Sequence, residues 1–559
     1  MFGHSPLHDY YLDGITVRSS VKEIPGTTYR NGEAIVPPLP FATPARNPSA
    51  RSSIQYLLFT LCAAIYLVPF MRLVFIGSDE GTLVEGAVRI LHGQVFARDF
   101  FEVMGPGTFY ILAAFFKLFG PTFFVARIWL SITSLGTGLS VYFLSRRVCD
   151  RYQLLPPVLL AGVYFSTLWP MVNHHVDSNF FALLSVVSVV LWQELRKTSL
   201  LLAAGALAGI TTCILQPKGM LLLLALLVWL WTQQRGRSDL LRSLSIVAGS
   251  YCAVVGLTLA YFLSHGALWA LINMNFVWPS HHYATVNTIP YATGILQFWT
   301  HWAVPIHGVR WLIPLGVVLI LPFLLVASLP VLVPALGIPR GKDNLRPTIS
   351  LYWLCGWALW LSEFHRHDIA HLTAGSPLLI ILCVHFLDEY HKPIANWCLQ
   401  FLTVSAVALA AVNLFIVLCA QSVPTRVGSV GMFKPDGALA FLDSHAAPGS
   451  EIFAYPTCPM YYFLSGTSNP TRYSLLLYNY NTPSQFHDAI KALEQHKVKY
   501  VVWDTTVETK AAPYFSAAMY RPAGGLVMEP YLESHYRVVK EVAGLRIMER
   551  KADNDGNQR

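Results

Sequence analysis

An acidic pair, Asp79-Glu80, stands directly after the first long apolar stretch of the chain, in Gly77-Ser78-Asp79-Glu80-Gly81. Ionisable side chains at a membrane boundary are costly and read by default as functional, and a carboxylate held there has the chemistry of a general base. The plainer reading is that the pair marks the water interface, or caps a helix over Thr82 to Leu91. Its company weighs against that reading alone. Glu85, Arg89, Arg98, Asp99 and Glu102 follow within one turn-rich loop, and Asp177 stands at an outer helix end in Asn173-His174-His175-Val176-Asp177. The expectation is that two acidic centres at adjacent outer helix ends share one cavity.

A second group is rich in histidine. His365-Arg366-His367-Asp368 with His371 has the H-x-H-x3-H spacing of a metal site, and His174-His175 would join it. Metal sites also need partners that fix the ligands, and none is readable here. The expectation is therefore no metal and no cofactor, with His174, His175 and His371 hydrogen-bonding substrate or phosphate.

The elements that must position these groups belong in a bilayer. Only 13% of the 559 residues are charged and 54% are hydrophobic, with a mean hydropathy of +0.47, whereas soluble domains carry roughly a quarter charged residues. An ordinary soluble enzyme is excluded. The net charge of +8 fits the Lys and Arg excess of cytoplasmic loops and is not read as a nucleic-acid footprint. The nine cysteines sit almost wholly in apolar runs, with only Cys458 in the polar C-terminal part, which leaves no intradomain disulfide to expect.

A span needs about 20 mostly apolar residues. Stretches at about 54–76, 122–146, 153–171, 178–195, 199–216, 219–233, 243–263, 311–336, 348–363, 374–387 and 396–420 answer to this, giving about 11 transmembrane helices. Residues 1–53, polar and rich in Pro and Gly, are read as a disordered cytoplasmic tail. The first apolar run is too far from Met1 and too long for a cleavable signal. With the N-terminus inside, the basic groups Arg146-Arg147, Arg196-Lys197, Arg235 to Arg242, Arg340 to Arg346 and Lys392 all fall on the cytoplasmic side. Counting Pro106 to Phe119 as a further span would reverse that pattern, so this segment is expected to lie in the outer interface. Residues 54–420 then form a transmembrane domain with a large first outer loop at 77–121. In 421–559, strands at Glu451–Tyr455, Lys499–Trp503 and Tyr536–Lys540 and a helix at Ser484–His496 predict a small extracytoplasmic α/β domain. It is read as a cap or acceptor-docking module. The fold class is mainly α, a polytopic membrane protein with that small domain at its C-terminus.

The loop carries a more specific pattern than charge. An acidic pair Asp79-Glu80 is followed by Ala87 to Gly93, Asp99-Phe100, a Pro-initiated segment Pro106 to Gly120 ending in Leu-Phe-Gly, and Ala126-Arg127 opening the second span. This succession resembles the first outer loop of GT-C glycosyltransferases, the protein O-mannosyltransferases, the aminoarabinose lipid A transferase and the RgtA/B/C/D-like set among them. Asp177 matches their second acidic element. The resemblance covers about residues 54–390 and is strongest in the loop. It implies inverting transfer of a sugar from a polyprenyl-phosphate carrier to a lipid, glycan or protein acceptor at the extracytoplasmic face of a bacterial inner membrane. Membrane lipids are the other expected partners, and nucleic acid is not one.

On that reading Asp79 is the base, with Glu80 or Asp177 orienting the acceptor or assisting it. The departing phosphate needs cations. The aminoarabinose group places a Lys before the Pro of the interfacial helix, whereas this chain reads Phe101-Glu102-Val103-Met104-Gly105-Pro106. The remaining candidates are Arg89, Arg98, Lys218 and Arg366, with Asp99 beside Arg98 in the substrate-binding set; Arg127 is read as a structural partner of the loop carboxylates. His281-His282 beside Trp278 and Tyr283 suits stacking on a sugar and equally an interfacial aromatic belt. A proton-coupled secondary transporter also uses membrane carboxylates, but it predicts an inverted repeat, and the two halves show no convincing self-similarity. A noncatalytic envelope-assembly subunit is the other alternative; it would tolerate loss of both Asp79 and Asp177.

Overall fold

The apolar stretches fold as helices, with that at 374–387 broken at Ser376. The computed structural model describes residues 29–30, 33–34, 50–77, 79–167, 170–233, 236–286, 289–296, 313–337, 345–390, 392–511 and 519–552. Most of the expected N-terminal tail, and residues 297–310 of the loop at 264–310, lie outside these. The first helix begins at Ala50 rather than after residue 53. Within the first unit, residues 1–46, what is described is the antiparallel pair β1 (Tyr29–Arg30) and β2 (Glu33–Ala34). Residues 47–559 form the other.

The chain of helices runs α1 (Ala50–Leu67), extended by a 3-10 turn at Val68–Arg72, then α2 (Asp79–Leu91) and α3 (Gly107–Phe119) in the first large loop. There follow α4 (Phe123–Val148), α5 (Leu155–Thr167), α6 (His174–Leu195), α7 (Thr198–Ile214), α8 (Gln216–Gln233) and α9 (Arg237–Ser264). After the short α10 (Leu268–Ile272) and α11 (Trp278–Val286) come α12 (Ile313–Leu336), α13 (Arg346–Glu363), α14 (Ile369–Gly375), α15 (Pro377–Glu389) and α16 (Pro393–Leu418). Among the described residues, six helices are by length and composition sufficient to cross a membrane, or seven if α14 and α15, bent by 72°, make one broken span. The others are shorter or less apolar.

Local chemistry sets several of these ends. Thr122 caps α4 and Asn173 caps α6, each through a side-chain oxygen that accepts a first-turn amide. The stretch 199–233 is two helices, broken at Leu215. In lipid no hydrophobic force draws helices together, and small residues permit close approach instead. Gly205 and Gly209, four apart on α7, meet this need against α9. A Cβ at Gly205 would lie 2.2 Å from the Val247 carbonyl oxygen.

The C-terminal part opens with the hairpin β3 (Gln421–Thr425) and β4 (Gly428–Met432), which grips the bundle: Val74 N–H donates to the Gly431 carbonyl at 3.0 Å and Phe123 N–H to that of Val427 at 3.0 Å. Beyond α17 (Gly437–His445) lie β5 (Ile452–Tyr455), α18 (Met460–Leu464), α19 (Pro483–Gln495), β6 (Tyr500–Asp504), β7 (Tyr536–Val542) and β8 (Leu545–Arg550). They form one sheet in the order β5-β6-β8-β7, with β5 parallel to β6 and the other pairs antiparallel. The predicted strands and helix are present, with β8 as a fourth strand. The sheet packs closely on the first loop, since α2 lies so near α18 that a Cβ on Gly81 would stand 2.4 Å from the Met460 backbone nitrogen.

Gly81→Val should therefore lift the C-terminal part from the loop, at a cost of about 1–3 kcal/mol for overpacking. The expected readout in detergent is a lower Tm with faster proteolytic release of the segment after residue 420; an unchanged Tm would contradict the contact.

Candidate active site

Successive residues of a helix point about 100° apart, and the first turn of α2 uses that difference. Glu80 turns into the bundle, where Arg127 of α4 holds both its oxygens, Nη1 with Oε1 and Nη2 with Oε2 at 2.8 Å, while Val172 N–H donates to Oε1 at 2.9 Å. Arg127 also donates to the Leu73 carbonyl and stacks 4.3 Å from the Phe123 ring centre. Both partners of the pair are buried. Asp79 is left exposed, with no hydrogen bond or ion pair among the described residues.

This sorts the acidic residues by role. Glu80, expected to help orient an acceptor, is instead a structural anchor, because a side chain saturated by Arg127 and a backbone amide has no oxygen to offer. Asp177, also expected in the cavity, is buried in the first turn of α6, where it accepts from Thr108 Oγ1 at 2.8 Å. Its carboxylate pins the start of α3 to α6. Asp99 closes its own loop, accepting from Val95 N–H at 2.6 Å and from Arg98 at 2.8 and 2.9 Å.

The expected phosphate ligands separate in the same way. Arg89 is buried in an ion pair with Glu85 and donates to the Thr471 carbonyl at 2.9 Å, while Ser474 Oγ donates to Glu85 at 3.0 Å. These contacts clasp the C-terminal segment to α2, and Arg89 is not available to a ligand. Arg98 is occupied by Asp99 and by the His265 carbonyl at 3.2 Å. Lys218 is fully buried, 2.5 Å from Glu363 Oε1 and donating to Asn179 Oδ1 at 2.7 Å. Neither a snorkelling anchor nor a free cation describes it. Arg366 lies 3.1 Å from Asp368, and its charge acts together with that of Asp79 on Tyr283 and Tyr480.

The histidines gather around Glu363, the last residue of α13. His175 Nδ1 lies 2.8 Å from its Oε2, His371 stands edge-on to His175 at 4.6 Å between ring centres, and His174 is 4.1 Å from His175. His365 faces His371 at 5.3 Å. His367 turns away and packs 4.4 Å from Phe364. Among the described residues no three His, Cys, Asp or Glu side chains are assembled as metal ligands. Burial drives the His365 imidazole down to about 3, with the nearby His371 acting in the same direction. Burial works to raise the Asp368 carboxyl, but the charge and hydrogen bond of His371, with Arg366, outweigh it and hold that carboxyl below its usual range. Asp368 also caps α14 by accepting from His371 N–H at 3.1 Å.

Two groups absent from the expected set feel the Asp79 charge. Glu102 is buried, its Oε1 without a hydrogen-bond partner, and burial pushes its carboxyl up to about 8, with the Glu85 and Asp79 charges adding to the shift. Tyr480, from the C-terminal part, has its hydroxyl pushed well above the usual value by burial, then by Glu102 and Asp79. Glu363 left one trace in the sequence, a lone acid ending an apolar span. Tyr480 left none, since its position depends on how the C-terminal segment folds back.

Comparison with known proteins supplies a fold. Residues 104–269 match the family model described as dolichyl-phosphate-mannose-protein mannosyltransferase. No curated protein matches the sequence significantly. Cupriavidus metallidurans ArnT bound to undecaprenyl phosphate superposes with a TM-score of 0.54 at 12% identity, over 90% of this chain and 99% of that one. Its apo form gives 0.55 at 12%, over 89% and 98%. The archaeal oligosaccharyltransferase AglB from Archaeoglobus fulgidus, in complex with an inhibitory peptide and a dolichol-phosphate, gives 0.46 at 15%, over 90% and 75%. The chain thus has an ArnT-like fold.

Two outcomes follow for the buried charges. Arg127→Gln strands the Glu80 charge and should cost about 3–5 kcal/mol, while the double variant with Glu80→Gln should recover much of that loss; a double variant as unstable as the single one would contradict a direct pair. A carboxyl raised in the folded state stabilises fully below its unfolded value near 4.5 and loses that contribution as pH rises through about 8. Glu102→Gln should remove this part of the fall in Tm between pH 5 and 9, and an identical pH profile would contradict the placement.

Proposed function

We propose that the protein is an inverting glycosyltransferase that moves a sugar from a polyprenyl-phosphate carrier to an acceptor hydroxyl, with Asp79 as general base. One observation carries this reading: an exposed, unengaged carboxylate at the head of α2, whose neighbour Glu80 is locked into the bundle. The similarity of residues 104–269 to a mannosyltransferase family model and the ArnT-like fold agree with it.

The carrier's phosphate would sit at headgroup level with its sugar just beyond. Asp79 takes the proton of the acceptor hydroxyl as that oxygen bonds to the anomeric carbon. The carbon–oxygen bond to phosphate breaks on the opposite face, so the configuration inverts and the electron pair leaves with the carrier phosphate. Arg366, oriented by Asp368, is assigned to that developing charge. Glu363, His175 and Lys218 stand behind it as a fixed ionic frame. Asp177 acts through Thr108 as a positioning residue. We place the site on the extracytoplasmic face, in keeping with the cytoplasmic run of basic loops.

Asp79→Asn should lower transfer by about 10²- to 10⁴-fold while leaving carrier binding and Tm near wild type. Release of free polyprenyl phosphate from a radiolabelled lipid-linked sugar gives the measurement, and near-wild-type turnover would refute the base. Arg366→Gln should reduce kcat more than it raises KM for the donor. A transporter would instead move the intact molecule and release no carrier phosphate.

A further inference from the structure

Resting on the transferase reading above, an aromatic cluster in the field of the Asp79 charge bears on the acceptor. Trp278 of α11 lies with its ring centre 4.9 Å from Tyr480 at 65°, 5.5 Å from Phe101 at 74° and 5.1 Å from His282 at 32°. Tyr283, on the same helix, stands 5.6 Å from His365. The first outer loop, α11 and the C-terminal segment therefore build one aromatic wall. Trp278 is only 6% exposed, which is not the state of an interfacial belt residue, while Tyr480, His282 and Tyr283 are half-buried.

Two details give this wall a ligand. The Trp278 indole Nε1 is buried without a hydrogen-bond partner among the described residues, and an unmet buried donor costs about 1–3 kcal/mol unless a ligand oxygen meets it. Tyr480 and Tyr283 also lie in the field of both Asp79 and Arg366, which places the wall at the reacting centre. The half-buried rings of Tyr480 and Tyr283 have electronegative faces that attract the polarised C–H groups of a pyranose, whose hydroxyls would take the indole N–H and tyrosine hydroxyls. An acyl chain would leave these polar groups unmet.

We propose that Trp278, Tyr480 and Tyr283 form a subsite for a pyranose ring of the acceptor, so that the acceptor is a carbohydrate. The donor sugar is tethered at headgroup level, whereas Tyr480 comes from the C-terminal segment that closes over α2; this assigns the ring to the acceptor. Transfer then joins an acceptor-sugar oxygen to the donor anomeric carbon, with the hydroxyl proton passing to Asp79 and the carrier phosphate leaving.

Full-length protein in nanodiscs, titrated with methyl α-glucopyranoside, methyl α-mannopyranoside and methyl α-galactopyranoside, tests this by saturation-transfer NMR. Wild type and Asp79→Asn should both bind at least one of the glycosides, although the second variant has lost turnover. Tyr480→Ala should weaken that binding by roughly fivefold, the scale of one aromatic contact. Trp278→Phe, which keeps a ring and removes the N–H, should weaken it with Tm unchanged even if Tyr480→Ala fails to fold. No glycoside binding to wild type, or equal binding by wild type and Trp278→Phe, would overturn the subsite. Displacement of the glycoside by the lipid-linked sugar but not by sugar-free polyprenyl phosphate would place the donor ring there, overturning the acceptor assignment. Neither result depends on whether Asp79 is the base, which the turnover of Asp79→Asn decides separately.

Discussion

The Glu80–Arg127 pair fixes everything that follows the first span. A carboxylate and a guanidinium removed from water must find each other with good geometry or destabilise the fold, and here the pair is completed by the Leu73 carbonyl and the Val172 amide. Four segments, the end of the first span, α2, α4 and the entry to α6, are thereby joined at one point. Because helix neighbours diverge by about 100°, sinking Glu80 turns Asp79 outward. Asp79 is left unengaged because its neighbour is not.

A second frame of buried charge runs through Glu363, His175, Lys218 and Asn179, then by way of the His365–His371 face to Asp368 and Arg366. Three helices, α6, α8 and α13, thus share charges that have no access to solvent. Such a network holds its members in one geometry, the condition for electrostatic stabilisation of a charge that develops during reaction. The C-terminal segment contributes in the same manner: Arg89 and Glu85 tie it to α2, and its Tyr480 lies in the field of Asp79.

Much of this was legible in the sequence because it is carried by period and composition. Apolar runs gave the helices, and the strand–helix–strand pattern gave the C-terminal sheet, apart from β8, whose Leu545-Arg546-Ile547-Met548 core is too short to stand out. Arg127 was legible as a partner for the loop acids. What stayed hidden was which carboxylate is free. Asp79, Glu80, Asp99 and Asp177 are all acidic side chains, and their contacts in the fold separate them: Arg127 claims Glu80 and Thr108 claims Asp177 from far along the chain, while the neighbouring Arg98 claims Asp99. The four candidate cations were sorted likewise, since Lys218 and Arg89 satisfy acids distant in sequence or covered by the C-terminal segment.

The division between two adjacent acids has a direct physical test. With the native cysteines replaced, Asp79→Cys and Glu80→Cys are made singly, and intact cells are treated with a membrane-impermeant maleimide. Cysteine at position 79 should label without permeabilisation, and cysteine at position 80 should stay unlabelled until the protein is denatured. Labelling of position 79 only after the membrane is opened, or equal labelling at both positions, would contradict a base that works from the extracytoplasmic water.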